Sequence, residues 1–556
     1  MLRSATVRIP VALFLLALAV RAVLIATFPD PAYPDSYYYV DVARSIAAGH
    51  GLSVDFVWIF AEVGNHLPNP AVLPIPSNAH WLPLASLIEA PFIAVFGPTP
   101  YAAALPMAII GSLAAPLTWF IARDMGARPI VGVAAGVLSA IPGAATVFMA
   151  QPENFAILQP LVAATIWCTA RGLKGDGRSF AVAGFLAGLA TFARNDGILL
   201  AGMVGLVWLA DRLRWWRAHR GKGSWSHVED RPPISVLAGV LAFGLFMVVM
   251  GPWWFRQLLV FGSISPTSSN GAALWIRTIQ EWNSITANPS LSKFLAQGPG
   301  PILESRIGGL VSALANFVVF ICSVVLLPFL IVGGLAKRRS LDFAPWFVYT
   351  FIAFAGATIL YPLHVPGGAF IHTAIGLAPH AAILSVEGIL LVVGWLAGRR
   401  RRWDEGMAGN VFVWGLVGIV AASAFVFAKP VEAGWEAVRA PRQALASELT
   451  RLAVPADDRI MSIDSGGIKY YTGHPGVVSP DDPIETIESV AQAYNIRWLV
   501  VERDDAARAL GPVLAGTRPS WIGPPVFAVP AADGGLPRLA LFPTCVAAGD
   551  SRCSGG

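Results

Sequence analysis

Apolar runs of bilayer-crossing length dominate the chain. The hydrocarbon core of a membrane takes about 20 consecutive apolar residues of helix, and by that measure the pattern predicts about eleven spans. They fall over 9–28, 102–122, 130–148, 155–170, 180–194, 197–211, 234–251, 308–335, 343–361, 371–396 and 410–428. The pair 180–194 and 197–211 is short, and Arg194-Asn195-Asp196-Gly197 interrupts it. Two of the polar intervals are long, 29–101 and 252–307, and both carry too many aromatics for disordered linkers. Within the first, Val40, Ala43, Ile46 and Ala47 recur at helical spacing and Gly49 follows. That predicts a short helix over 36–48 lying on the membrane surface. After residue 428 the pattern changes. Ile460-Met461-Ser462-Ile463 and Trp498-Leu499-Val500-Val501 read as strands, with a helix from Ile484 to Tyr494 between them. The expected fold is a polytopic α-helical membrane domain over 1–428 followed by a small α/β domain over 429–556.

Composition supports this reading and assigns an orientation. Of the 556 residues, 55% are hydrophobic and 13% charged, where a soluble protein carries about 25% charged residues. Lipid therefore replaces water over much of the surface. A net charge of +5 and a pI of about 9.1 would suit nucleic acid. However, the basic residues sit in short clusters between apolar runs, which is a topology signal and argues against a nucleic-acid partner. The clusters are Arg3/Arg8, Arg123/Arg128, Arg171/Lys174/Arg178, Arg212 to Arg231, Lys337-Arg338-Arg339 and Arg399 to Arg402. With these inside, the N-terminus is cytoplasmic and an odd number of spans puts the C-terminal domain outside the cell membrane. Phe28-Pro29-Asp30 is a poor cleavage site, so the first span reads as retained. Four cysteines are too few for a disulfide framework, although Cys545 and Cys553 can pair locally in an oxidising space.

Candidate chemistry lies on the outer side. Asp35, in Pro34-Asp35-Ser36-Tyr37-Tyr38-Tyr39, is either the cap of the surface helix or a general base at the lipid–water boundary. Asp41 lies nearly two turns on and can face the same cavity or solvent. Glu153, in a short outer turn, is a helix cap or a second acid, and with Asp35 it offers oxygen ligands to a divalent cation such as Mg or Mn. Arg194 suits a phosphate because its planar fork binds two oxygens at once; its alternative is an internal pair with Asp196. Tyr38, His80 in His80-Trp81-Leu82-Pro83, His372 and Arg256 in Pro252-Trp253-Trp254-Phe255-Arg256 are further candidate substrate contacts. A lone histidine is more often structural, and Trp253, Trp254 and Arg256 also read as an interface belt. No Walker loop, dinucleotide fingerprint, zinc-helix motif or nucleophile elbow is present.

The order of these features resembles the GT-C superfamily of integral-membrane glycosyltransferases. It comprises a first-loop acid with a tyrosine-rich helix, an aromatic-Pro entry to the next span, an acidic second outer turn and a Thr-x-x-Arg-x-x-Gly break. The likeness is to the protein O-mannosyltransferase and lipid A aminoarabinose-transferase branch. It is best over about 1–270 and returns at Tyr470-Tyr471-Thr472-Gly473. The resemblance implies Asp35 as catalytic acid/base, Glu153 as the second-loop acid and Arg194 as the residue meeting the carrier phosphate. Ser36 departs from the two adjacent acids of many members. The expected activity is inverting transfer of a hexose-, mannose- or aminoarabinose-like sugar from a polyprenyl-phosphate donor to a lipid, glycan or protein hydroxyl. The expectation in another class is a transporter or lipid flippase with Arg194 and Asp196 lining the path. Such proteins tend to repeat a broken helix in both halves, and no second copy of 180–211 is evident.

Overall fold

The computed structural model of the chain describes residues 2–58, 66–220, 231–266, 274–360, 369–400, 403–546 and 552–553. Residues 221–230 of the basic run, Arg401, Arg402, Gly367 and Gly368 lie outside the described residues. Among the described residues, seven helices are long and apolar enough to cross a membrane: Val7–Thr27, Pro100–Asp124, Phe155–Leu173, Val236–Phe261, Pro299–Ile321, Ala378–Ala397 and Glu405–Arg451. The pair Pro129–Ala140 and Gly143–Ala150, bent by 55°, makes an eighth. Leu84–Phe96, Gly177–Ala193, Leu327–Lys337 and Ala344–Leu360 are shorter apolar helices. Side chains such as Leu259 and Phe351 are 71% and 74% exposed, which marks the lipid-facing side. The chain is a multi-pass membrane protein.

Three details depart from the hydrophobic pattern. The run 308–335 is not one span: the helix Pro299–Asn316 ends in a π-turn over Phe317–Ile321, and a new helix starts at Leu327. Ser323 and Val324 sit at positive φ in the break, so the chain turns where the sequence stays apolar. The interval 29–101 contains the helix Leu84–Phe96, shorter than a 20-residue window can find. The helix expected over 36–48 forms as Pro34–Ala47, with Gly49 past its end at positive φ. It does not lie open on a surface, for Tyr37 through Ala43 are buried.

The helix Pro34–Ala47 is buried by the helices Leu84–Phe96 and Pro100–Ser112 on one side and by Tyr470 and Tyr471 of the C-terminal part on the other. The 47-residue helix Glu405–Arg451 is about 70 Å long at 1.5 Å per residue, enough to cross the core and project beyond it. It delivers the chain to β4 (Arg459–Ser462), β5 (Gly476–Val478), β6 (Ile496–Glu502), β7 (Phe527–Val529) and β8 (Leu539–Pro543). With β2 (Phe56–Val57) at the edge, the sheet order is β2-β5-β4-β6-β8-β7, with β2, β5, β4 and β6 parallel. The helices Ser465–Thr472 and Ile484–Ala493 make the crossovers that parallel strands require. Cys545 and Cys553 are disulfide-bonded beside it. The edge strand β2 (Phe56–Val57) comes from the interval 29–101. β1 (Ser53–Val54) pairs separately with β3 (Ile75–Pro76) in an antiparallel two-stranded ladder. The helix carrying Asp35 is thus enclosed between the membrane helices and a sheet that its own loop completes.

Candidate active site

Asp35 lies in the first turn of the helix Pro34–Ala47, whose N-cap is Tyr33 and makes no side-chain cap. Its carboxylate is spent elsewhere: Trp81 Nε1 donates to Oδ1 at 2.9 Å and Arg194 Nη1 to Oδ2 at 3.3 Å. The capping alternative does not hold. Trp81 is fixed from behind by Tyr38, whose ring lies 4.4 Å away and whose hydroxyl accepts the backbone N–H of Asn78 at 2.7 Å. Tyr38 is fully buried and packs behind Trp81.

Arg194 ends the helix Gly177–Ala193 in extended backbone. Its Nε lies 3.1 Å from Asp196, so the internal pair and the contact with Asp35 coexist on one guanidinium. Asp196 also accepts a hydrogen bond from the Thr373 hydroxyl. Burial opposes the charge on Arg194, but Asp196 and Asp35 outweigh it and raise its pKa. Asn195 donates to the His80 carbonyl at 2.7 Å, tying this break to the His80-Trp81 segment. Burial lowers the pKa of His80 to about 4, so its ring is neutral at physiological pH.

Glu153 is fully buried in the turn before Phe155–Leu173. Oε2 accepts the Phe155 N–H at 2.9 Å, so a capping role is real, yet Oε1 points to His372 Nδ1 at 3.3 Å. Burial and then the charge of Asp35 push the Glu153 carboxyl up to about 8. His372 stacks face to face on Phe155 at 3.9 Å. One ligand atom each from Asp35, Glu153 and His372 lies within 4.8 Å of the others. Glu153 Oε1, His372 Nδ1, Asn154 Oδ1, Gln151 Oε1 and His80 Nδ1 are buried without a hydrogen bond among the described residues. Buried polar atoms are rarely left so, and their concentration here fits a ligand or ion. Two carboxylates and an imidazole suit a cation of the Mn type better than Mg, which prefers oxygen.

Two candidates fall outside this cluster. Asp41 turns toward Arg44, 3.6 Å away, on the side facing the sheet. Arg256 reaches Gln257 at 2.7 Å and lies over the Trp253 and Phe261 rings, as a belt residue would. Sequence reasoning missed Trp81, Asn154 and Thr373 as site residues. Thr373 reaches Asp196 only through tertiary packing, which no local pattern marks.

Residues 78–225 match the model of the dolichyl-phosphate-mannose-protein mannosyltransferase family, a stretch holding His80, Glu153 and Arg194 but not Asp35 or His372. No curated protein matches the chain. Among solved structures, it resembles ArnT from Cupriavidus metallidurans bound to undecaprenyl phosphate, with TM-score 0.55 at 14% identity, covering 97% of this chain and 98% of that one. The Archaeoglobus fulgidus oligosaccharyltransferase, in complex with Zn and sulfate, gives TM-score 0.52 at 14% identity over 95% and 72%. The mycobacterial arabinofuranosyltransferase AftD gives 0.50 at 14% identity over 97% and 42%. The chain has the GT-C fold of integral-membrane glycosyltransferases.

Proposed function

We propose that the protein transfers a sugar from a polyprenyl-phosphate carrier to an acceptor hydroxyl at the outer face of the cell membrane, with inversion at the anomeric carbon. The observation that carries this reading is the pairing of Asp35 with Arg194 at one buried-edge site, a base beside a phosphate clamp. Asp35 takes the proton from the acceptor hydroxyl as its oxygen bonds to the anomeric carbon. The bond from that carbon to the phosphate oxygen breaks, and Arg194 stabilises the charge on the departing phosphate. Each contribution is worth roughly 10²–10⁴-fold in rate. Asp196, which accepts from the Thr373 hydroxyl, holds the guanidinium in place, and Trp81 fixes the carboxylate. Asp35, Glu153 and His372 would hold a divalent cation, which when bound offsets negative charge on phosphate oxygens.

Similarity to ArnT, crystallised with undecaprenyl phosphate, supports a lipid-linked donor. An outer compartment without nucleotide sugars favours the same choice. The test incubates purified protein with radiolabelled polyprenyl-phosphate sugars and membrane extract, with and without chelator. Asp35→Asn should insert normally and transfer nothing. Undiminished transfer by that variant would remove Asp35 from the chemistry, and labelled lipid crossing liposomes without transfer would favour a flippase.

A further inference from the structure

The interval 252–307 and the start of the span after it enclose a pocket of about 490 Å³ that none of the site residues lines. Its walls are the turn Ile279–Trp282, the short helix Leu291–Ala296 and the first turns of Pro299–Asn316. The volume falls within the range of small-molecule sites, about 300–1,000 Å³. The C-terminal domain fixes its position. Ser284 donates to Asp482 Oδ1 at 2.6 Å and the Ile285 N–H to Oδ2 at 2.7 Å. The Asp481 N–H donates in turn to the Asn283 carbonyl at 2.9 Å. The pocket therefore lies on the same side of the membrane helices as Asp35, whose own helix packs on Tyr470 and Tyr471.

The charges in the pocket balance. Arg277 and Glu281 close on each other: Nε donates to Oε1 and the Arg277 backbone N–H to Oε2, each at 2.8 Å. One base and one acid remain for a ligand, Arg306 and the exposed Glu304. Arg306 lies 4.8 Å over the Phe294 ring and donates to the Ile359 carbonyl at 3.2 Å, with no carboxylate paired to it among the described residues. Gln297 adds an amide that both donates and accepts, and Ile276 and Phe294 supply a buried apolar floor. A phosphate or sulfate here would meet Glu281 and Glu304 as well as Arg306, and like charges brought together oppose binding. A neutral ring of hydroxyls with apolar C–H faces matches the mixture. One wall also leads to the site. Glu281 is followed by Trp282, whose ring meets the His80 ring at 5.5 Å; His80 meets Trp81 at 4.9 Å, and Trp81 donates to Asp35.

We infer that this pocket binds the non-reacting sugars of a glycan acceptor, so that the hydroxyl deprotonated by Asp35 belongs to a saccharide rather than to a protein side chain. The inference rests on the transferase reading above and names the acceptor class. Trp282, His80 and Trp81 form the aromatic track along which the saccharide runs from the pocket to the base. Contacts this far from the reacting hydroxyl supply acceptor binding, so their loss appears in the acceptor KM.

The test uses the full chain in phosphatidylcholine nanodiscs and neutral gluco-, manno- and galacto-configured trisaccharides bearing a diazirine at the reducing end. At least one should label peptides covering 276–281 and 297–306. The unmodified trisaccharide should compete this labelling away, whereas inorganic phosphate, phosphatidylglycerol and a serine- and threonine-rich peptide should not. Gln297→Ala combined with Glu304→Ala should lower labelling roughly tenfold, a loss of one order in affinity, and raise the acceptor KM by a similar factor. Leu303→Ala, on the lipid-facing side of the same helix at 61% exposure, should change neither. Labelling by none of the three sugars, labelling confined to other segments, competition by phosphatidylglycerol or the peptide, or wild-type labelling of the double variant would overturn the assignment. Labelling needs no turnover, so it separates failure of the pocket from failure of the transferase reading. Asp35→Asn should still label while transferring nothing.

Discussion

At the scale of single residues, the site turns on one guanidinium serving two carboxylates. Arg194 presents Nε to Asp196 and Nη1 to Asp35, a span that only a planar fork covers. Lysine would keep the charge and lose one of the two contacts. Arg194→Lys is expected to insert normally and lose roughly 10²–10³-fold in transfer rate, measured with saturating donor. Arg256→Ala, at a residue stacked on Trp253, should show a smaller loss. Asp41 offers a different test. Burial, only partly offset by Arg44 and Lys469, pushes its carboxyl up to about 7 from 3.8. Between those values the folded state holds a proton that the unfolded state has released, so this group's contribution to stability is full below pH 3.8 and lost as pH rises through 7. Above that the cost is constant, at most roughly 4 kcal/mol. Asp41→Asn should therefore be more stable than wild type at pH 8, with the gap closing toward pH 4, in thermal unfolding scans across pH. A pH-independent difference would mean that Asp41 stays ionised in the fold.

At the scale of elements, close helix crossings decide which glycines matter. A Cβ at Gly388 would lie 2.0 Å from the Phe329 carbonyl, and one at Gly333 would lie 2.0 Å from the Leu384 carbonyl. The helices Leu327–Lys337 and Ala378–Ala397 thus touch backbone to backbone, as small residues permit in membranes. Gly202, in a helix interior, has nothing within 4 Å. Alanine is the better helix former by about 1 kcal/mol, so Gly202→Ala should raise stability slightly. Gly388→Ala must push two backbones apart and should cost roughly 1–3 kcal/mol. Opposite signs for one substitution, read by unfolding in detergent, would check the crossing; equal signs would refute it. The same scale shows what sequence could reveal. Asp35, Glu153 and Arg194 were legible because a charge in an apolar chain is expensive and stands out. The spans were legible through length alone. The break at Ser323 and Val324 was not, since nothing polar marks it, and the 13-residue helix Leu84–Phe96 falls below any bilayer window. The placement of His372 on Glu153 depends on packing between distant segments, which no local pattern encodes.

At the scale of the molecule, the C-terminal sheet and the site are one structure. Strand β2 belongs to the interval 29–101 yet forms the edge of the C-terminal sheet, with Lys469 paired to Asp55 beside it. Asp30 accepts from Arg439 and from the Tyr470 hydroxyl, each at 3.1 Å. Tyr37, two residues from Asp35, packs on Tyr470 and Tyr471 with ring centroids 5.4 and 5.9 Å away, under the guanidinium of Arg442. Arg442 is 2% exposed and held by Asp464 at 2.6 Å and by both oxygens of Glu502 at 2.9 Å. Removing it leaves two carboxylates uncompensated in a buried position, so Arg442→Met should cost roughly 3–5 kcal/mol. A merely local loss would stop at the sheet. If the sheet positions Asp35, backbone amides from Tyr37 to Ala43 should exchange faster in this variant while those of Phe155–Leu173 stay protected. Transfer should fall with kcat rather than KM. Replacing Asp464 and Glu502 by leucine alongside Arg442→Met should recover stability, because the buried charges are then gone. Recovery of stability without recovery of rate would separate the ion network's structural share from its hold on the helix carrying Asp35. Unchanged exchange over Tyr37 to Ala43 would show that the membrane helices alone set Asp35 in place.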